Sequence, residues 1–264
     1  MARRNMVLRN ILHNLKSATV KQKLGLLAGA VTSLAIIAGV GVSLYSAATP
    51  PDFAAIEDTQ ARKTAFVEYL APAIAELNRE RAEERQALEE LYAELQEGES
   101  AGWWQQRKLE AWAQRYDIEF IPEQEVAVAE KLLLHLDEIP ASMVLAQAAL
   151  ESAWGTSRFA KTGDNFFGQW CFTEGCGMVP EARTEGATHE VKTFSSVKEA
   201  LQGYFRNINS HSVYAQVREI RARARKAGKP LSGLEMVAGL EKYSARGQAY
   251  IEELREVIRY NNFE

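Results

Sequence analysis

The sequence predicts a mainly α protein with a small β-hairpin lobe, preceded by a helical neck and one transmembrane helix. Three observations lead to this class. Ala141 to Leu150 is apolar or small throughout, apart from Ser142 and Gln147, so apolar residues fall on every side of a 3.6-residue period, as in a helix buried all round. Ala54 to Gln96 is heavily charged with apolar stripes at helical spacing. Leu24 to Leu44 carries no charge over 21 residues, and roughly 20 apolar residues suffice to cross a bilayer.

Taken in order, residues 1–23 hold Arg3, Arg4, Arg9, Lys16, Lys21 and Lys23 and no acid. Basic residues before an apolar run place the N-terminus inside and the remainder outside. The run is longer than the ~7–15 residues of a signal-peptide core, so the reading is a signal-anchor in the inner membrane with the rest of the chain in the periplasm. Ser46, Ala47 and Ala48 leave cleavage, and release to the periplasm, as the alternative. Beyond residue 50, 25 basic residues face 35 acidic ones, a net charge near −10, which excludes nucleic acid as an expected partner.

Residues 51–120 read as the neck. Thr49-Pro50-Pro51-Asp52 is a stiff exit. Phe66, Leu70, Ala73 and Leu77 form one stripe and Leu88, Leu91, Tyr92 and Leu95 another, with a kink or break expected at Pro72. Arg79 to Glu90 reads as a solvated face, and Trp103 to Tyr116 as a further helix. The neck packs on the following domain, spaces it from the membrane, or binds a protein partner.

Residues 121–264 form the last domain. Val126, Ala129, Leu132, Leu133 and Leu136 supply a packing face, and Pro140 suits the start of the buried helix. That helix ends at Glu151 and Ser152, before Trp154 and Gly155. Desolvation and the helix C-terminus both disfavour the charged form of Glu151, raising its pKa. A carboxylic acid held protonated near neutrality donates a proton to a leaving oxygen. Phe159, Asn165, Phe166, Phe167, Gly168, Gln169 and Trp170 mix flat aromatics with amides, which suits sugar rings. The competing reading makes Glu151 a structural cap and the aromatics core.

Ala146-Gln147-Ala148-Ala149-Leu150-Glu151-Ser152-Ala153-Trp154-Gly155 and Asn165-Phe166-Phe167-Gly168 resemble the glucosaminidase family of peptidoglycan hydrolases (glycoside hydrolase family 73), which includes the hydrolase domain of the flagellar rod-cap protein. Likeness to a membrane-proximal member runs along most of the chain, through the Cys171–Cys176 turn and Tyr243-Ser244. The resemblance implies a lysozyme-like α+β domain with Glu151 as general acid. It also implies a substrate surface from Ser152, Trp154, Asn165, Phe166, Gln169 and Trp170, and no cofactor or metal. Cleavage of the β-1,4 bond after N-acetylglucosamine in peptidoglycan is the implied reaction. A lytic transglycosylase or muramidase on the same glycan, and a non-catalytic wall-binding module, are the alternatives.

Cys171 and Cys176, in a chain read as exported, can close a small loop. Free thiols are the alternative in a reducing compartment, and His189 alone does not complete a metal site. Met178 to Arg183 and Glu190 to Phe194 read as a hairpin across Thr184–Thr188. Glycosidases commonly use two carboxylates, and in the family the second sits in such a lobe. The candidates are Glu181, Glu185 and Glu190; family spacing favours Glu181, whereas local chemistry favours Glu190, which is the assignment made here.

Ser196 to Glu199 is a capping box opening a helix in which Tyr204 and Phe205 are core. The basic helix near Tyr214 to Ala227 carries Arg218, Arg221, Arg223, Arg225 and Lys226 and reads as a solvated face, with approach to anionic wall polymer or lipid as the other use. In the family, the Tyr243-Ser244 to Tyr250 segment places its first Tyr in the cleft. Tyr243 therefore joins Glu151 and Glu190 as a catalytic candidate, and Tyr250 is expected in the core.

Overall fold

A computed structural model describes residues 50–264 except 182, 184 and 185. The expected membrane segment at 24–44, like Glu185, lies outside the described residues. Among those described, no helix is long and apolar enough to cross a membrane.

Helix α1, Thr59–Gln96, is capped by Asp58, whose side chain accepts from the Ala61 N–H. It runs unbroken through Pro72, against the expected break. Phe66, Tyr69 and Leu70 before the proline and Ala73, Ile74 and Leu77 after it are all buried in one core, which offsets the roughly 3 kcal/mol that an interior proline costs. The second half of α1 packs Leu88, Leu91 and Leu95 against α2, Trp103–Arg115, and α3, Glu125–His135. The stretch read as a neck therefore shares its compact unit with the following domain.

Helix α4, Ala141–Ser152, has no solvent face from Ser142 to Ala149. It is wrapped by α1, by α8, Gly233–Met236, and by α9, Gln248–Tyr260. Between them lie α5, Arg158–Gly163, α6, Val197–Ser210, and α7, Ala215–Lys226. Tyr204 and Phe205 of α6 are core, as expected.

The β lobe differs from a simple hairpin. Three short antiparallel strands, β1 Trp170–Cys171, β2 Gly177–Met178 and β3 Glu190–Lys192, stand in the order β1-β3-β2. Trp170 pairs with Val191, and Met178 pairs with the same Val191 from the other side. The expected first strand stops at Met178 because Pro180, two residues on, has no N–H to give a ladder. A Cys171–Cys176 disulfide closes the connection between β1 and β2. Gly177 is required where it stands: a β-carbon there would lie 2.0 Å from the Val191 carbonyl oxygen.

The basic helix α7 is solvated only in part: Arg223 and Lys226 are exposed, whereas Arg218 and Arg221 are buried. Arg221 is 1% exposed, and its guanidinium donates to the carbonyls of Leu134 and Glu138 and to Asn209 Oδ1. Arg218 is also buried and donates to the carbonyls of Ile208 and His211. Asp137, buried between α3 and α4, meets Arg85, Arg221 and Arg225. These arginines satisfy carbonyls at helix ends that have no intrahelical partner, which a heptad or stripe count does not reveal. Burial pushes the Arg221 guanidinium down to about 10, with Asp137 opposing, so it stays charged at neutral pH. Arg221→Ala leaves Asp137 and several carbonyls underpaired, and its cost is expected to be about 3 kcal/mol or more. Urea unfolding of the full chain checks this; a loss under about 1 kcal/mol would show that the cluster is dispensable.

Candidate active site

Helix α4 stops at Ser152 because the chain turns left-handed three times in succession, at Ala153 (φ 49°), Trp154 (φ 58°) and Gly155 (φ 77°). Two of these are not glycine, and each left-handed non-glycine residue costs on the order of 1–3 kcal/mol. Ser152 secures the end: its hydroxyl donates to the Ala148 carbonyl (2.6 Å) and accepts from the Gly155 N–H (2.8 Å). The result leaves Glu151, on the last turn, at the wall of a cleft of about 810 Å³.

The cleft is lined by Glu151, Gly168, Trp170, His189, Asn207 and Tyr243, with Phe159, Phe167 and Arg183 among its other walls. Glu151 Oε1 accepts from the Tyr250 hydroxyl at 2.8 Å. Burial raises the Glu151 carboxyl above the usual range, Tyr250 pulls it back, and Glu253 pushes it further up. The net direction is upward, as the position at a buried helix end predicts. Gly168 passes close beside it at φ 63°, where a β-carbon would stand 3.8 Å from Glu151 Oε2. Oε2 is therefore the Glu151 oxygen beside Gly168, which itself lines the cleft.

The loop opposite is built by Asn165. Its amide donates to the carbonyls of Gln169 (2.9 Å) and Lys192 (2.8 Å), and its oxygen accepts from the N–H groups of Phe167 and Gln169. Asn165 is thus buried and fully engaged in tying the loop to β3, rather than facing substrate. Phe166 packs edge-on against Phe66 and lies in the core. Ser152 is committed to the helix end, and Trp154 packs on Phe66 beneath Lys63. None of these four lines the cleft. Gln169 and Trp170 do. Gln169 donates to the Ala200 carbonyl, while Trp170, 59% exposed, stacks on His189 at 4.2 Å and 19°. That pair offers a flat apolar face of the kind on which sugar rings rest.

Glu190 is placed elsewhere than expected. It is buried on β3 beside Val191, and its two oxygens accept from the N–H groups of Gly175 (3.0 Å) and Gly177 (2.8 Å). Those donors hold its carboxyl below the ordinary range. It braces the disulfide loop and does not line the cleft. Glu181 is exposed, 3.9 Å from Arg158. Among the described residues, Glu151 is the one carboxylate in the cleft lining. Cys171, Cys176 and Glu190 lie close together, but the two sulfurs are bonded to each other and the carboxylate is held by amides, so the group does not suit a metal.

Tyr243 lines the cleft and donates to the Phe167 carbonyl at 3.0 Å. Its ring lies parallel to that of Tyr250, 5.8 Å away. The residue that sequence reasoning assigned to the core, Tyr250, is buried and yet touches Glu151 directly. A tyrosine whose ring is core and whose hydroxyl reaches a carboxylate leaves no trace in a pattern of apolar positions.

Residues 128–263 match the glucosaminidase family, described as mannosyl-glycoprotein endo-beta-N-acetylglucosaminidase. The chain belongs to the glucosaminidase family. Protein bax from Escherichia coli strain K12 is 32% identical over 203 residues, which are 76% of this chain and 70% of that protein. No solved structure matches the chain. Membership in the glucosaminidase family supports a glycosidase directed at peptidoglycan, and the helix end, the Asn165 loop and the three-stranded lobe are the parts with which this member frames its cleft.

Because the Glu190 carboxyl is depressed in the folded state, its contribution is complete above the ordinary glutamate value of 4.5 and is lost as pH falls through its lower folded value. Glu190→Gln is expected to lower Tm at pH 7, with the gap to the unmodified protein closing in acid, and to keep measurable turnover. A variant with unchanged Tm and no turnover would return Glu190 to the chemistry.

Proposed function

We propose that the protein hydrolyses the β-1,4 glycosidic bond after N-acetylglucosamine in peptidoglycan, with Glu151 as general acid. The observation that carries this reading is a single half-buried carboxyl with raised pKa. It is set at a helix end in a cleft that also offers an exposed Trp170–His189 stack. Protonating the leaving oxygen needs an acid that holds its proton more tightly than an ordinary carboxyl, and burial moves Glu151 in that direction. Among the described residues Glu151 is the one carboxylate in the cleft lining. That favours the substrate's own acetamido group as the internal nucleophile, a known exception to the two-carboxylate rule, unless Glu185, outside those residues, supplies the second. Tyr243, whose hydroxyl oxygen retains acceptor capacity after donating to Phe167, holds sugar beside Glu151.

The same reading places the chain at the inner membrane, with residues 24–44 as anchor and the hydrolase on the periplasmic side, where a Cys171–Cys176 bond persists. Lone-glutamate cleavage without water addition, as in a lytic transglycosylase, is the second reading, favoured by Glu151 being the one carboxylate among the described residues of the cleft lining.

Mass spectrometry of purified peptidoglycan digested with the full chain separates these readings. Reducing ends bearing N-acetylglucosamine are expected. Anhydro-muramic ends would move the protein to the transglycosylases, and binding without products would leave a wall-binding module. Glu151→Gln is expected to abolish turnover. It is also expected to raise Tm at pH 7: a carboxyl whose folded pKa is raised costs stability at pH above its unfolded value, and glutamine carries no such cost. Substantial residual turnover in that variant would remove Glu151 from the acid's role.

A further inference from the structure

Behind Glu151 a line of hydrogen bonds runs away from the cleft. The Tyr204 hydroxyl donates to Gln147 Oε1, Gln147 Nε2 donates to the Tyr250 hydroxyl (3.1 Å), and Tyr250 donates to Glu151 Oε1 (2.8 Å). Gln147 and Tyr204 are both fully buried and neither lines the cleft. Each tyrosine has one hydroxyl proton, whereas a glutamine amide is an acceptor at one end and a donor at the other. A hydroxyl can also accept, but among the described residues Gln147 is the hydrogen-bond partner of the buried Tyr204 hydroxyl. Turning the amide would leave the Tyr204 proton without an acceptor, so the far end biases the direction of the whole line. With Tyr204 giving its proton to Oε1, the amide must present Nε2 to Tyr250, and Tyr250 must spend its proton on Glu151.

We propose that Gln147 and Tyr204 are positioning residues that fix the direction in which Tyr250 donates, and so keep the acid proton of Glu151 on Oε2, the oxygen beside Gly168 and the cleft. This rests on Glu151 being the general acid. Were the amide turned round, Tyr250 would donate to Gln147 instead, and the Glu151 proton would be drawn to Oε1, pointing inward to Tyr250 and away from any glycosidic oxygen. The line also accounts for two buried polar side chains that packing alone does not require, since a buried glutamine among apolar neighbours is costly unless its amide is satisfied at both ends. Tyr204 is held in place by stacking on Phe167 at 4.2 Å, which ties the far end of the line to the cleft loop.

The groups that act on Glu151 come from every element around it. Tyr250 and Glu253 stand on α9, Tyr204 on α6, Tyr214 just before α7, and Tyr243 in the segment leading to α9. Arg183 and His189 line the same cleft from the β lobe. An aligned hydroxyl donor favours the carboxylate, so losing the alignment moves the Glu151 titration upward while misplacing its proton.

The test is a pH titration of Glu151 in the full chain carrying ¹³C-labelled glutamate carboxyls, with its resonance identified by Glu151→Gln, alongside pH profiles of kcat and KM. In Tyr204→Phe the Glu151 titration is expected to move up. kcat should fall roughly tenfold, a modest share of what a positioned acid supplies, with KM within about twofold. Tyr250→Phe is expected to move the titration in the same direction. The Tyr204→Phe, Tyr250→Phe double variant should go no further than Tyr250→Phe alone, because Tyr204 acts only through Tyr250. Gln147→Met, which removes the link while keeping length, is expected to repeat the upward shift and guards against a folding defect peculiar to one variant. An unmoved Glu151 titration in folded Tyr204→Phe or Gln147→Met, or additive shifts in the double variant, would overturn the proposal. The carboxyl titration is read without turnover, so failure of the line and failure of Glu151 as the acid are distinguishable.

Discussion

Helix α4 has apolar or small residues on all its sides, and most of the remaining architecture follows from the need to enclose it. An unenclosed face would leave several large side chains in water, at about 25 cal/mol per Å². The first half of α1, together with α8 and α9, supplies the cover. Enclosure has a chemical consequence at the one place where it ends. Glu151 sits on the boundary, close enough to the interior to be desolvated and close enough to the cleft to reach a sugar. The same packing that stabilises the helix makes its last carboxyl reluctant to ionise.

Order around that carboxyl is maintained by polar groups that touch backbone more than they touch one another. Ser152 closes the helix end, Asn165 ties its loop to β3, Glu190 gathers the amides of the disulfide loop, and Tyr243 holds the Phe167 carbonyl. Each satisfies a buried donor or acceptor that water cannot reach. Several residues that look chemical in the sequence therefore act as framework, and the open cleft is left to Glu151, Tyr243 and the Trp170–His189 stack.

This division explains what was legible beforehand. Helix spans and the buried nature of α4 were readable from periodicity, because burial writes itself into spacing. Glu151 stood out because a carboxyl at the end of an apolar helix conflicts with its surroundings, and the structure places it in the cleft lining. Glu190 stands buried against two amides rather than in the cleft lining, and a strand-borne glutamate gives no sign in the sequence of which face it takes or whether amides await it. Arg218 and Arg221 were misread as solvated, because the carbonyls they cap belong to helix ends more than eighty residues away for Arg221 and are invisible to local patterning. The contacts of Tyr250 and Gln147 behind Glu151 were missed for a related reason: their ring and stem are core, and only their polar atoms enter the hydrogen-bonded line.

The family match begins at residue 128, whereas the core that holds α4 begins at Phe53, whose ring lies against Gly155 immediately beyond the active-site helix end. The stretch matched by the family and the stretch that encloses α4 are thus two different lengths of the same chain. A fragment trimmed to the family-matched stretch would lose Phe53, Phe66, Leu70 and Ile74 from around α4 and would carry an open seam beside Glu151. The preceding helices are a wall of the same compact unit, and a gene fusion or truncation has to respect residue 50 rather than residue 128 as the place to cut.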